Sequence, residues 1–304
     1  MQRLIIVYNP YSSKQAKIQK EVIEPLQNAS GYQVGKFAIR QIPVEENAKN
    51  LIRVLMDGDL VVIAGGDGSA TVGINAAMMT DKDITLGVLG YGNFNDMARM
   101  LGESNCQQLL ADYEAHNIQK MYPLESYIDG KFYKYAACYF TIGMFAESTE
   151  EFNAKDTRDN LKKGKKGMIY SIWKLARWYF KNKKKSFLPS DIHMDDEPMG
   201  NKISDVMFVN SPTVAKIMKG GKYWCQPRVY HLSYGWLKSF FRLIGFMVCS
   251  LLHRMPGEEV SGTTKITFLN PAKIEIQAEG EYDKILLNEF AVKKAVKSIK
   301  VVVH

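Results

Sequence analysis

Over the first 120 residues, apolar positions switch repeatedly between two periods. Leu4–Tyr8 is a continuous apolar run, the pattern of a strand buried on both faces. From Lys14 to Ala29 the apolar residues Ile18, Val22, Ile23 and Leu26 fall near helical spacing. Gln33–Arg40 reads as a strand, and Val44–Met56 returns to helical period through Ala48, Leu51, Ile52 and Leu55. Leu60–Ala64 is a strand, Ser69–Met79 a helix, Ile84–Leu89 a strand and Asn93–Leu101 a short helix. Strands and helices alternating over short loops predict a parallel, doubly wound (Rossmann-like) α/β sheet. Ligands of such sheets sit outside the carboxyl ends of the strands. Three candidate loops follow strands: Asn9-Pro10-Tyr11-Ser12-Ser13, Gly65–Gly68 and Gly90-Tyr91-Gly92-Asn93.

After Pro123 the texture changes to short runs: Leu124–Ile128, Lys134–Ile142, Asp191–Met194, Asp205–Asn210, Val229–Leu232, Lys265–Phe268 and Lys273–Gln277. Turn signals such as Asp129-Gly130 and Gly220-Gly221 separate them, predicting an antiparallel β-sandwich domain. Two helical stretches, Met168–Phe180 and Trp236–Leu252, interrupt the strands. The expected division is an α/β domain over 1–122, with residues 288–304 returning to it, and a sandwich domain over 123–287 carrying a basic insertion at 155–185.

Composition adds a localised charge. The net charge is +8. Residues 155–185 hold twelve Lys and Arg against two Asp, a net of +10, so the remainder of the chain is slightly acidic. Lys162, Lys163, Lys165 and Lys166 precede a helix with Ile169, Ile172, Trp173, Ala176 and Phe180 near one face, and Lys174, Arg177 and Lys181 lie toward the other. A basic amphipathic helix with Trp reads as a membrane-surface element, against the plainer reading of a packed helix with a solvated lysine face. The four cysteines form no C-x-x-C pair and the five histidines no metal-ligand spacing, so reduced, buried thiols are expected. The apolar run Leu243–Leu252 is half the length that a spanning helix needs. These features predict a cytoplasmic protein peripherally associated with an anionic membrane surface, with no nucleic-acid partner.

The candidate chemistry lies in three motifs. Gly65-Gly66-Asp67-Gly68-Ser69 follows a buried strand and opens a helix, where glycines permit close backbone approach and the helix N-terminus attracts phosphate. Asp67 would repel a bare phosphate and makes most sense beside a cation or a hydroxyl. Gly90-Tyr91-Gly92-Asn93-Phe94-Asn95-Asp96-Met97-Ala98-Arg99 follows a second apolar strand. Glu279-Gly280-Glu281 comes late in the chain; alone, it would usually be a hairpin turn.

Together with Asn9-Pro10-x-Ser12, these elements resemble the diacylglycerol kinase catalytic-domain superfamily, more closely its bacterial lipid kinases of the diacylglycerol kinase and YegS-like type. The resemblance extends in order and spacing over nearly the whole chain. It implies a nucleotide domain, a β-sandwich domain with a cleft between them, ATP, Mg2+ and a lipid hydroxyl acceptor; apart from the resemblance, a homodimer is the one self-assembly considered. Carried over by position, Asn9, Pro10, Ser12, Ser13, Gly65, Gly66, Asp67, Gly68, Ser69, Asn93, Asn95 and Asp96 would bind the nucleotide. Glu281 would be the general base, with Asp67 acting beside it in catalysis. Arg99, Lys162, Lys163, Lys165, Lys166 and Trp173 would meet lipid or membrane.

The departures from the family pattern are specific. Thr71 and Val72 stand where it has asparagine and glutamate, Ser69 replaces threonine, Gly90 replaces proline and Glu279 replaces aspartate. The family's acidic metal loop is replaced by Lys222-Tyr223-Trp224-Cys225-Gln226-Pro227-Arg228, so no metal site is assigned. The reading is an ATP-dependent kinase of diacylglycerol or a related lipid. The alternatives are a soluble small-molecule kinase of the NAD kinase type and a nucleotide- or lipid-binding protein with impaired catalysis.

Overall fold

The computed structural model describes residues 1–92, 94–153, 170, 173–174, 177–178, 180–182, 188–189, 191–199, 203–214, 218–219, 227–233, 258–260 and 262–304. The N-terminal sheet is built from β1 (Gln2–Tyr8), β2 (Tyr32–Ala38), β3 (Leu60–Gly65) and β4 (Thr85–Gly90) in the parallel order β2-β1-β3-β4. The strand Ile299–Val302 pairs parallel with β4, and β5 (Ile118–Met121) closes that edge antiparallel.

Alternation in the strands assigns each face. Leu4, Ile6, Leu60, Val62 and Ala64 pack with Ile18, Val22, Ile23 and Leu26 of the first helical segment. Ile5, Val7, Val61 and Ile63 pack on the other face with Ala48, Leu51, Val72 and Ile74. Helices therefore cover both faces, as continuous apolar strands require. The first segment is α-helical over Gln15–Ile18 and Glu24–Gln27 with a π turn over Gln19–Ile23 between them. Pro25 has no N–H to give the carbonyl of Glu21, four residues earlier. That carbonyl accepts instead from Cys106 Sγ at 3.1 Å.

The helix Asp67–Met79 starts two residues before the apolar period does, taking Asp67 and Gly68 into its first turn. Every residue from Ser69 to Met78 is buried, because the helix lies between the two sheets. Conversely, the next helix begins only at Asp96, because Asn95 adopts a left-handed conformation, φ 55°. A helix over Cys106–Glu114 has only a weak apolar period in the sequence and is held by Asn105, whose side chain accepts from the N–H of Gln108.

Most of the strands after Pro123 join one antiparallel sheet, while Thr213–Val214 and Met218–Lys219 pair apart from it. It includes β6 (Leu124–Ile128), β7 (Lys131–Ala136), β8 (Tyr139–Gly143), and the strands Ile203–Val209, Arg228–Ser233, Thr263–Ala278 and Glu281–Lys294. The two runs expected at 265–268 and 273–277 are one strand of 16 residues. A register shift between Thr267 and Ala272 absorbs Asn270-Pro271, where proline cannot donate to the ladder. Both halves of this strand contribute to one core: Ile266, Phe268, Ile274 and Ile276 pack with Phe140, Phe208 and Phe290. Conversely, the single run expected at 134–142 divides into β7 and β8, and a helix over Met144–Asn153 follows. The expected helix at 236–252 lies outside the described residues. Among the described residues, no helix is long and apolar enough to cross a membrane.

Candidate active site

The three candidate loops leave the C-terminal ends of β1, β3 and β4, which are neighbours in the sheet. In the first, Asn9 Oδ1 accepts the N–H of Tyr11 at 2.9 Å, and its carbonyl accepts that of Ser12 at 3.1 Å. Ser12 Oγ accepts the N–H of Lys14 at 3.2 Å. Asn9 and Ser12 thus shape the loop that contains Pro10 and Ser13. Lys14 Nζ then donates to the carbonyl of Gly92 at 2.9 Å, which joins this loop to the third.

The second and third loops touch backbone to backbone. A Cβ on Gly66 would stand 2.9 Å from Gly92 Cα, and one on Gly92 would stand 2.5 Å from Gly66 Cα. Only glycine fits on either side of that contact. The N–H of Tyr91 donates to the carbonyl of Gly65 at 2.7 Å. Across this contact the Asp67 carboxylate accepts the N–H of Asn95 at 3.0 Å and that of Asp96 at 2.7 Å. Asn95 Oδ1 in turn accepts the N–H of Gly92 at 2.6 Å. Asp67 is therefore a clamp between the two glycine loops. Burial pushes its carboxyl above the usual range, while the backbone N–H groups and the Arg99 charge pull it back. Asp96 is buried and paired with Arg99, which also donates to the carbonyl of Phe94. Ser69 is buried in the first helical turn, whereas a Cβ on Gly68 would meet open space.

Glu279-Gly280 forms the two-residue turn of a hairpin, with Ala278 paired to Glu281. Both turn residues have positive φ, 50° and 89°, as a type I′ turn demands. The turn aims Glu279 at the N-terminal domain. Glu279 is 3% exposed, and its carboxyl meets Thr71 Oγ1 at 2.9 Å and the N–H of Cys138. The same helix is tied to β7, because Asn75 exchanges hydrogen bonds of 3.2 Å with both backbone groups of Tyr135.

Glu281 lies on the open side of the turn, with 30% of its side chain exposed. Lys134 Nζ approaches it at 3.4 Å and Asp283 at 2.9 Å. Tyr133 donates to Asp283. Burial raises the pKa of Glu281 and the Lys134 charge opposes that rise. For Lys134, burial works against the ammonium, but Glu281 and Asp283 outweigh it and the net shift is upward. Asn75, Lys134 and Asp283 are residues that the sequence reading did not single out, and Thr71 was noted there only as a departure from the family pattern. Lys134 left one signal: a lone charge within the aromatic run Phe132–Phe140.

Residues 3–122 match the sequence model described as the diacylglycerol kinase catalytic domain. The match lies in the N-terminal part of the chain, the part that carries the three loops. The curated diacylglycerol kinase of Bacillus subtilis (strain 168) is 34% identical over 104 residues, which are 34% of this chain and 34% of that protein. Two solved structures from Bacillus anthracis str. Sterne, one of them of a diacylglycerol kinase, superpose with TM-scores of 0.68 and 0.64. They cover 100% of this chain and 97% of their own, at 13% and 10% identity. An NAD kinase from Archaeoglobus fulgidus, solved in complex with ATP, superposes with a TM-score of 0.50 at 11% identity, over 99% of this chain and 93% of that one. At these identities the likeness is one of fold: an α/β parallel-sheet domain followed by an antiparallel β-sheet domain.

The matched residues 3–122 contain all three loops and the Asp67 clamp, while Glu279 approaches them from the second sheet through Thr71, with Glu281 two residues on. Val72 is 1% exposed and packs in the core of the first domain. Asn93, Lys162, Lys163, Lys165, Lys166, Gly220-Gly221 and residues 222–226 lie outside the described residues. Of the basic segment, Tyr170, Trp173, Arg177 and Phe180 are helical and exposed, with Trp173 at 54%. Arg177 lies 5.5 Å from the Trp173 ring centroid, so cation and aromatic share one face rather than dividing between two.

Proposed function

We propose that the protein is an ATP-dependent lipid kinase that transfers the γ-phosphoryl group to a hydroxyl of diacylglycerol or a related lipid. The observation that carries this reading is the clamp of Asp67 on the two glycine loops, within residues that match the diacylglycerol kinase catalytic domain. Phosphoryl transfer is catalysed mainly by positioning and charge stabilisation. Backbone groups of Gly65–Ser69, with Asn9, Ser12 and Asn95 shaping the adjoining loops, would receive the phosphates. Glu281 would take the acceptor's proton. Its burial brings the carboxylate closer to the basicity that task needs, and Lys134 keeps it ionised.

No set of three His, Cys, Asp or Glu side chains among the described residues makes a metal cage. Mg2+ would instead arrive with the nucleotide, because this ion is commonly held by one or two carboxylates plus phosphate oxygens. Asp67 and Asp96 would supply the carboxylates, and the ion would neutralise charge on the transferring phosphoryl group. The exposed Trp173 and Phe180, with Arg177 beside them, would rest on an anionic membrane surface where the lipid resides.

The test is incubation of the protein with γ-32P-ATP and a total lipid extract, with NAD in a parallel reaction. A labelled product in the chloroform phase is expected. Label in the aqueous product of NAD instead, or in neither, overturns the proposal.

A further inference from the structure

Thr71 Oγ1 lies 2.9 Å from two oxygens, the main-chain carbonyl of Asp67 and Oε2 of Glu279. A threonine hydroxyl carries one proton. If Glu279 were ionised, both neighbours would be acceptors, and one contact would set oxygen against oxygen with no hydrogen between them. A second proton removes the conflict: Glu279 donates to Thr71 Oγ1, and Thr71 donates to the carbonyl of Asp67. The other Glu279 oxygen is satisfied by the N–H of Cys138.

We infer that Glu279 is a positioning residue, held as the neutral acid, whose O–H bond to Thr71 fixes the turn carrying Glu281 onto the helix that begins at Asp67. The inference rests on the proposed kinase site and adds the group that registers its two halves. Glu279 itself stands at positive φ, a backbone cost that the surrounding contacts must offset. The groups that face it share its preference for neutrality. Asp67 adds negative charge from the helix. At the start of β8, burial keeps the Cys138 thiol and the Tyr139 hydroxyl protonated, with Asp96 beyond them and paired to Arg99. Burial first, and then the Asp67 charge, push the Glu279 carboxyl up to about 8 against the pull of its hydrogen bonds. Ionisation would break the O–H bond and place a new anion beside the turn proposed to receive phosphates.

The test compares wild type with Glu279→Gln and Thr71→Val. Glutamine keeps a donor toward Thr71 and an acceptor for Cys138 but does not titrate. In thermal unfolding from pH 5 to 9, the wild-type midpoint should fall with rising pH, since the folded chain holds a proton that the unfolded chain releases near the ordinary carboxylate value. Glu279→Gln should abolish that fall. Thr71→Val should move the alkaline transition to lower pH, because the neutral acid loses its acceptor; a hydroxyl that donates to an ionised Glu279 would make the shift upward. Equal pH slopes in wild type and Glu279→Gln, or an upward shift in Thr71→Val, overturn the inference. Lipid phosphorylation by wild type should fall about tenfold from pH 7 to pH 9 through kcat, as expected for a group titrating near 8, and Glu279→Gln should hold its pH 7 rate. Absence of phosphorylation at every pH would refute the kinase reading and leave the unfolding arm to decide this one.

Discussion

Removing the Asp67 carboxylate should separate the two glycine loops. The side chain accepts two backbone N–H groups, from Asn95 at 3.0 Å and from Asp96 at 2.7 Å. Each donor left without a partner in a buried setting costs about 1–3 kcal/mol, so Asp67→Ala loses roughly 2–6 kcal/mol in gross terms. Part of this is returned. The Asp67 carboxyl is itself pushed up in pKa by burial, so a charge that desolvation disfavours is removed with it. A net loss of about 2–4 kcal/mol follows, measurable as a lowered midpoint in urea unfolding followed by far-UV circular dichroism. Asp67→Asn keeps one acceptor and turns an amide N–H toward the other donor, so its loss should be about half as large. ATP affinity, read by calorimetry, should fall in both variants, since the phosphate turn and the Asn95 loop no longer share a fixed spacing. If Asp67→Ala unfolds within about 0.5 kcal/mol of wild type, the range of an unremarkable surface substitution, the clamp does not hold the loops.

Three further outcomes follow from neighbouring geometry. Gly68→Ala, where the added methyl meets open space in a helical turn, should stabilise the fold by about 0.5–1 kcal/mol yet weaken ATP binding if phosphate docks there; Gly92→Ala, 2.5 Å from Gly66 Cα, should instead destabilise by about 1–3 kcal/mol. Asp112 is held down to about 2 by hydrogen bonds from His304, Gln108 and Asn117, so it contributes stability above the ordinary carboxylate value that is lost as pH falls toward 2; Asp112→Asn should flatten that acid limb in a pH series of thermal midpoints. Lys134→Met removes the cation 3.4 Å from Glu281, so the Glu281 carboxyl should rise further and the acid limb of the pH–rate profile should move to higher pH.

The parallel sheet was legible because buried strands leave unbroken apolar runs, and Leu4–Tyr8, Leu60–Ala64 and Ile84–Leu89 are such runs. The second sheet was less legible. Its two longest strands hide behind Asn270-Pro271 and behind the charged, solvent-facing positions of Glu281–Lys294, so local pattern broke where pairing continued. The loops were recognised, but not what joins them. Sequence suggests that the glycines of Gly65–Gly68 admit a ligand; the structure shows that Gly66 also admits Gly92 of the neighbouring loop. Asp67 was read as facing a cation or a hydroxyl, and its partners are backbone N–H groups 28 and 29 positions away, which no local pattern reveals. Thr71 and Glu279 are 208 positions apart, and neither side chain alone announces the hydrogen bond between them.

The central claim is that Glu281 serves as the base for a lipid hydroxyl while Asp67 and the glycine loops hold the nucleotide. Its most direct test is the transfer of label from γ-32P-ATP to extractable lipid by wild type and Glu281→Gln, with ATP binding measured on the same preparations. General-base catalysis typically contributes at least about 10²-fold, so Glu281→Gln should lose that much in kcat while ATP affinity stays the same. Turnover near wild type in a variant that still binds ATP would contradict the account.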